Sequence, residues 1–148
     1  GWRCRRGRAR TAGHESEADK MDKAEGTANR ERITETAKIG VDHGLTVGIH
    51  AHAAGFMDFE PELERLLDEV DDSILKICFD TGHHSYAGFD PVAFMKRHMD
   101  RISYMHFKDI DPVVKADVVA KRTDFYTVCG QGIFGNLGHG DVDVSAGR

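Results

Sequence analysis

The residues best suited to chemistry in this 148-residue sequence stand at the ends of three short apolar runs. His50 and His52 follow the first run, Asp80 ends the second and precedes His83, and His106 ends the third. Imidazole nitrogens and carboxylate oxygens are ordinary ligands for divalent metal ions. Because the pattern occurs three times in succession, we predict that these side chains form one site, with a metal among its ligands.

Each of these side chains also has a structural alternative. A carboxylate at the end of a buried strand, such as Asp80, can instead cap the segment that follows it. His50 and His52 are two residues apart and share one face of a strand, which favours a common cavity over two separate structural roles. His83 and His84 are adjacent and cannot both face the same way. We predict that His83 faces the site and that His84 packs or faces solvent.

Two further features could take part in the chemistry. Alternation places Lys108 on the same side as His106, where an ammonium group could hold an anionic intermediate or shuttle a proton. An exposed Lys108 paired with Asp109 is the alternative. The glycine-rich stretch Gly130–Gly140 could cradle a phosphate through backbone amides, although it lacks the spacing of a P-loop. The remaining histidines are predicted to lie on the surface: His14, His43, His98 and His139.

Strands and helices must alternate to bring these residues together. Pro61, Pro91 and Pro112 each follow an acidic residue where an apolar helical stripe begins, which is typical of a first helical turn. The resulting βα repeats predict an α/β fold with a parallel sheet, whose carboxyl edge would carry the ligand-type residues. The predicted strands span 45–49, 74–79 and 102–107, and the predicted helices span 29–41, 60–71, 91–99 and 112–121, with 123–128 either a short helix or irregular.

The composition narrows the class of protein. The formal net charge of −5 argues against nucleic-acid binding, because phosphate neutralisation needs clustered basic residues. The three cysteines have no CxxC spacing, which is typical of reduced thiols and predicts a cytoplasmic location. No segment is long and apolar enough to suggest a membrane span. Residues 1–28 lack apolar periodicity and are predicted to be a disordered or non-native tail before one domain, 29–148.

Four motifs together resemble a known family. Phe79–His83 (FDTGH), Asp90-Pro91, His106–Asp109 (HFKD) and Gly138–Asp143 (GHGDVD) are similar to the xylose-isomerase-like TIM-barrel superfamily of sugar isomerases and epimerases, and most similar to its inosose dehydratase branch. The resemblance implies a (β/α)₈ barrel with one divalent metal ion at the carboxyl rim, often Mn²⁺, with Co²⁺, Mg²⁺ or Zn²⁺ as alternatives. It also implies proton abstraction beside a carbonyl and a metal-stabilised enediolate.

The resemblance assigns roles position by position. His50 stands near the place of a family glutamate ligand, so either it replaces that ligand or the metal site differs. A further family ligand, a glutamate on the closing strand, would lie beyond this sequence. The expected metal ligands are Asp80, His106 and His50, the expected catalytic residues are His83 and Lys108, and the expected substrate-binding residues are His52, His83 and Lys108.

The length limits what the chain can build. A complete barrel needs about 250 residues, so we expect a partial barrel of three to four βα units, weakly active or inactive, with open edges that favour a homo-oligomer. The expected whole enzyme is a metal-dependent isomerase, epimerase or dehydratase of a sugar or cyclitol, with no nucleic-acid or membrane partner. The alternatives are a metal-dependent phosphoesterase of the abasic-site endonuclease type and a non-catalytic sugar- or metal-binding remnant.

Overall fold

A computed structural model describes residues 23–53, 60–121, 123–143 and 145. Within these ranges, the chain alternates between helix and strand from 23 to 80 as the apolar pattern predicts, and then has successive helices over 81–98, successive strands over 102–110 and successive helices over 112–130. The helices are α1 (Lys23–Asp42), α2 (Glu60–Glu69), α3 (Thr81–Tyr86), α4 (Pro91–His98), α5 (Pro112–Lys121) and α6 (Phe125–Gly130), with a 3₁₀ turn at Met99–Arg101. The strands are β1 (Gly48–Ile49), β2 (Lys76–Asp80), β3 (Ile102–His106), β4 (Asp109–Ile110) and β5 (Phe134–Gly135).

The predicted parallel sheet is present. Strands β1, β2 and β3 lie in that order, and both pairs are parallel. The register pairs Asp80 at the end of β2 with His106 at the end of β3. Strands β4 and β5 form a separate antiparallel pair. The carboxyl ends of β2 and β3 therefore meet at one rim, the place where parallel α/β sheets carry their sites.

The helix starts follow from local chemistry. Pro91 opens α4, and the Asp90 carboxylate accepts hydrogen bonds from the Val92 and Ala93 amides at 2.9 and 3.1 Å. Pro112 opens α5, where Asp111 caps two amides in the same way. Proline lacks the amide hydrogen that a first helical residue leaves unpaired, so each Asp-Pro pair is compatible with a helix start.

The core lies between the sheet and the helices that cover it. Leu63 and Leu67 of α2 are buried against Ile77 and Phe79 of β2. The Phe79 ring stacks on Phe94 of α4, with ring centroids 5.0 Å apart. A second buried cluster packs α5 and α6 beside β4 and consists of Ala53, Tyr86, Ile110, Val118, Phe125, Val128 and Ile133.

Several boundaries differ from the sequence prediction. Helix α1 begins at Lys23, within the segment predicted to be a tail, while residues 1–22 of that segment lie outside the described residues. Strand β1 has two residues in place of five, because among the described strands it pairs with β2 on one side only and because Leu45 is exposed. The segment after Asp80, for which the sequence predicted no helix, forms helix α3, because Asp80 caps its first amides. Of the segment 123–128, for which a short helix was one of two predictions, residues from Phe125 onward are helical, and this helix, α6, ends at Gly130.

Arg101 joins the end of α2 to the start of β2. Its guanidinium donates to the carbonyl oxygens of Leu67 and Val70, both at 2.8 Å, and of Leu75 at 3.1 Å. The last carbonyls of a helix have no partners within the helix, so a cation there satisfies groups that would otherwise be unpaired. This contact fixes where β2 begins and hence where Asp80 lies.

We expect Arg101→Gln to lower the free energy of unfolding by about 1–3 kcal/mol, because charge-assisted hydrogen bonds to partly buried carbonyls are lost. Urea unfolding at pH 7 measures the change. Arg97→Gln is the matched control, since Arg97 is exposed and bridges Glu60 and Glu64 on the surface, where such pairs contribute about 0–1 kcal/mol. Equal losses in the two variants would contradict a special role for Arg101.

Candidate metal centre

The Asp80 side chain lies at the centre of the site and divides its two oxygens between two tasks. Oδ1 accepts hydrogen bonds from the Gly82 and His83 amides, both at 3.0 Å, and thereby caps α3. Oδ2 faces the rim, where His50 Nε2 lies 3.4 Å away and His106 Nδ1 lies 3.3 Å away. The sequence offered helix capping and metal binding as alternative roles for Asp80. The structure shows that one carboxylate can serve both, because each role uses a different oxygen.

The charge state of Asp80 follows from its surroundings. Burial by itself raises the pKa of this carboxyl, since its side chain is fully buried. The hydrogen bond from the Lys108 ammonium and the one from the His83 amide outweigh burial and hold the pKa below its ordinary value. Asp80 is therefore an anion at neutral pH, as a metal ligand must be.

His50 and His52 share one face of the segment that follows β1, as their spacing predicts. Their ring centroids lie 5.6 Å apart, and the His50 ring lies 4.8 Å from that of His106. Burial lowers the pKa of His50 against the opposing effect of Asp80, so this imidazole tends to be neutral. His52 Nδ1 lies 2.9 Å from the Ala53 carbonyl, which can only accept, so Nδ1 is the donor in this contact.

The neighbours His83 and His84 point in different directions. The His83 ring lies 3.8 Å from that of His52, and its Nε2 lies 3.8 Å from Asp80 Oδ2. His84 turns to the other side of α3, where its Nε2 lies 2.9 Å from a Glu60 carboxylate oxygen. Burial lowers the pKa of His83 to about 3, although the Asp80 charge opposes this, so the ring is neutral near pH 7. One histidine thus faces the site and one packs, as predicted.

Lys108 faces the site and pairs with Asp80. The alternative prediction, an exposed Lys108 paired with Asp109, is therefore wrong. The Lys108 ammonium contacts Asp80 Oδ2 and lies 5.3 Å from the centroid of the Phe134 ring. Asp109 points the opposite way and is fully buried. Alternation along the backbone explains both directions, since His106 and Lys108 fall on the rim side.

Thr81 was missed in the sequence although it positions Lys108. Its hydroxyl donates to the Lys108 carbonyl at 2.7 Å and accepts from the Lys108 amide at 2.9 Å. This double hydrogen bond fixes the backbone of Lys108 against the start of α3. The only signal in the sequence is the threonine directly after Asp80, and a threonine there has many structural uses.

The glycine-rich stretch binds an anion that the chain itself supplies. Asp109 Oδ2 accepts from the amides of Gly138 and Gly140, and Oδ1 accepts from those of Val142 and Ile110, all at 2.9 Å. A side chain at Gly140 would collide with this carboxylate. The described amides at Gly138 and Gly140 are therefore taken, and the phosphate cradle predicted for this stretch does not use them.

The other predicted histidine positions are mostly as expected. His43 and His139 are exposed, while His14 lies outside the described residues. His98 is half-buried, because its Nε2 lies 3.2 Å from a Glu64 carboxylate oxygen and its ring packs on Phe94.

The donors fit a divalent metal ion. One ligand atom from each of His50, Asp80 and His83 lies within 4.8 Å of the other two, and His106 lies beside the same carboxylate oxygen. Imidazole nitrogen and carboxylate oxygen ligate several first-row divalent ions, so the donor set by itself defines a metal-type site and leaves the metal open.

The sequence matches a family of known proteins. Residues 9–146 match the family model for the xylose isomerase-like TIM barrel, so the chain belongs to that family. In the part of the chain that the structure describes, no helix is both long and apolar enough to span a membrane.

Several proteins that the chain resembles are named as dehydratases. The chain is 31% identical over 134 residues to the inosose dehydratase of Geobacillus kaustophilus and 32% identical over 117 residues to that of Salmonella agona. These alignments cover 90% and 78% of this chain and 44% and 38% of the two relatives. A solved structure of the probable 3-DHS dehydratase AsbF of Bacillus anthracis is 26% identical, with a TM-score of 0.67 over 91% of this chain and 49% of that protein.

We expect Asp109→Asn to lower the free energy of unfolding by roughly 2–4 kcal/mol at pH 7, because an amide group would face backbone donors in a buried place. Four amide hydrogen bonds outweigh burial and hold the pKa of Asp109 below its ordinary value. The stabilisation is thus complete above the unfolded pKa of about 3.9 and is lost as the pH falls through the lower folded pKa.

Urea unfolding at pH 7, 5, 4 and 3 measures this effect, and the difference between the native chain and Asp109→Asn should shrink below about pH 4. Asp117→Asn is the control, since Asp117 is exposed and pairs with Lys121 one helical turn away. A difference that stays constant from pH 7 to pH 3 would contradict the proposed role of the Asp109 charge.

Proposed function

We propose that this chain is part of a metal-dependent enzyme that dehydrates or isomerises a sugar or cyclitol ketone, with an inosose-type dehydratase as the leading case. The observation that supports this most strongly is the surroundings of Asp80 Oδ2. Three imidazoles and one ammonium group converge on this oxygen at the carboxyl rim of a parallel sheet. The relatives named as dehydratases supply the reaction class.

The proposed cofactor is one divalent ion held by Asp80, His50 and His106, and the resemblance puts Mn²⁺ first. When bound, such an ion polarises a carbonyl oxygen and the neighbouring hydroxyl group. The chain's part is to present an ionised carboxylate and neutral imidazole nitrogens at a fixed rim. Burial of Asp80 and its hydrogen bonds to the first turn of α3 restrict the motion of its side chain, which keeps Oδ2 directed toward the His50 and His106 rings.

Two side chains are placed to handle protons and substrate oxygens. The Lys108 ammonium is about one-third exposed, so it can donate a hydrogen bond to an oxygen that gains negative charge. In the neutral ring, the Nδ1 contact with the Ala53 carbonyl leaves His52 Nε2 as the nitrogen that can accept a proton or a hydroxyl hydrogen bond. The catalytic and substrate-binding roles that the resemblance implies for His83 remain a prediction.

Removal of a proton beside the carbonyl is common to the dehydratase and isomerase readings. In a dehydratase the β-hydroxyl then leaves as water after protonation, whereas in an isomerase the proton returns to a neighbouring carbon. The dehydratase names among the relatives favour the first outcome. The substrate class that fits the rim is a small polyhydroxy ketone, and no observation favours a phosphoesterase. We also propose that the enzyme is cytoplasmic and that it forms a homo-oligomer.

The test is binding and turnover of 2-keto-inositol by the Mn²⁺-loaded chain, measured by calorimetry and by the absorbance of the unsaturated product. Because the chain spans less than half of its curated relatives, we expect weak, metal-dependent binding and slow or undetectable turnover. Asp80→Asn should abolish the binding signal, and Lys108→Met should weaken it at least about tenfold.

Asp100→Asn is the matched control, because Asp100 is exposed in the 3₁₀ turn. Binding that survives both a chelator and Asp80→Asn would contradict the proposal. Metal binding without any recognition of the ketone would favour the non-catalytic remnant.

A further inference from the structure

A small cavity lies behind the rim, between the end of the parallel sheet and the helix that follows β2. Its volume is about 10 Å³, which is room for one water molecule and little more. The residues that line it come from the segment after β1, from β2 and from α3: Ala51, Cys78, Phe79, Asp80, His83 and His84. The cavity is thus formed where three segments of the chain meet.

His83 brings an unpaired nitrogen to this region. Its side chain is 4% exposed, and the rings of His52, Phe125 and Phe134 enclose it at centroid distances of 3.8, 5.6 and 5.4 Å. Its Nδ1 is buried and has no hydrogen-bond partner among the described residues. A buried polar nitrogen left unpaired destabilises a fold, and such groups nearly always bind a protein group or a water molecule.

The backbone beside the cavity has unused hydrogen-bonding capacity as well. Strand β1 pairs with β2 over its own two residues only. The Lys76 amide donates to the Val47 carbonyl at 2.8 Å, so this residue of β2 faces the β1 side. Alternation along the strand gives Cys78 and Asp80 the same direction, toward Ala51. In the described part of the chain, no backbone hydrogen bond joins Ala51 to β2, so the ladder stops at the level of the cavity.

One water molecule satisfies both sets of groups. A buried water normally makes about three hydrogen bonds, and it donates and accepts at the same time. The Ala51 amide can donate to it, the Cys78 carbonyl can accept from it, and His83 Nδ1 is the third partner. The volume of the cavity leaves no room for a larger ligand.

The Asp80 carboxylate decides the direction of the third hydrogen bond. His83 Nε2 is the ring nitrogen that faces Asp80 Oδ2, at 3.8 Å. A neutral imidazole carries its hydrogen on one nitrogen only, and a nearby carboxylate favours the hydrogen on the nitrogen that faces it. Nδ1 then keeps its lone pair and accepts a hydrogen bond from the water.

We propose that this cavity binds one water molecule, which donates a hydrogen bond to His83 Nδ1 and connects that nitrogen to the backbone of Ala51 and Cys78. The water holds His83 in the tautomer that carries its hydrogen on Nε2. At the rim His83 is then a hydrogen-bond donor and does not act as a base. Ala51 and Cys78 are positioning residues, because they act on the rim through the water. The site lies in the protein interior and requires neither a metal ion nor a substrate.

The test uses the native chain at pH 7, with a chelator present and without substrate. Nuclear Overhauser spectra between water and protein should show a long-lived water at the amide and methyl protons of Ala51. Rotating-frame spectra recorded in parallel separate this direct contact from hydrogen exchange. Long-range ¹H–¹⁵N spectra of the histidine rings should show His83 Nε2 protonated and Nδ1 without a hydrogen.

Either of two results on the native chain would overturn the proposal. The absence of a long-lived water at Ala51 would refute the binding site. A His83 ring with its hydrogen on Nδ1 would refute the direction of the hydrogen bond and the donor role at the rim.

Ala51→Val tests whether the water fixes the tautomer. Two added methyl groups exceed the volume of the cavity, so they should displace the water and abolish its cross peaks. Because Nδ1 then loses its donor, the His83 signals should shift to those of a mixture of tautomers. Ala116→Val is the matched control, since Ala116 is exposed on α5, and it should leave both signals unchanged. A His83 tautomer unchanged in Ala51→Val after loss of the water would contradict the role of the water.

A cavity-filling substitution can also unfold the chain, so circular dichroism of Ala51→Val is recorded first. If that variant is unfolded, the two spectra of the native chain decide the proposal by themselves. Failure of the chain to bind 2-keto-inositol would count against the proposed function and would leave this result unaffected.

Discussion

The buried Asp80 carboxylate is the feature on which the rest of the site depends. A buried charge costs several kcal/mol unless hydrogen bonds and opposite charge compensate it. Here one oxygen receives two amides of α3, and the other receives the Lys108 ammonium and faces three imidazoles. The cap fixes the direction of the free oxygen, so the helix start and the site are one structure.

Two other carboxylates, those of Asp109 and Glu60, hold the segments that carry the site residues. Asp109 gathers four backbone amides and holds the glycine-rich segment against β4, directly after Lys108. Glu60 lies 2.9 Å from His84 and so joins α2 to the back of α3, opposite His83. Each of the three carboxylates has its own partners: backbone amides for Asp109, His84 for Glu60, and the Lys108 ammonium with two amides for Asp80. Together these contacts hold Lys108 and His83 at the rim.

Local patterns in the sequence were sufficient for much of the fold. The Asp-Pro pairs indicated the starts of α4 and α5, the apolar helical stripes indicated helices there and at α2, and the apolar runs located β2 and β3. Boundaries failed where a tertiary contact decided them. Strand β1 is short because it has one neighbour in the described sheet, and α3 forms where no helix was predicted because Asp80 Oδ1 caps it. Residue types alone specify neither which strands β1 pairs with nor which way Asp80 Oδ1 points.

Sequence alone determined which side chains could meet, because parallel strands end at one edge and alternation sets the side of each residue. It therefore predicted Asp80, His106, Lys108 and the His50–His52 pair as neighbours, and it separated His83 from His84. Only the tertiary structure decided the distances: that Lys108 binds Asp80 and not Asp109, and that His83 is buried close to His50. Those outcomes depend on how helices pack against the sheet, and packing is a property of contacts between distant segments.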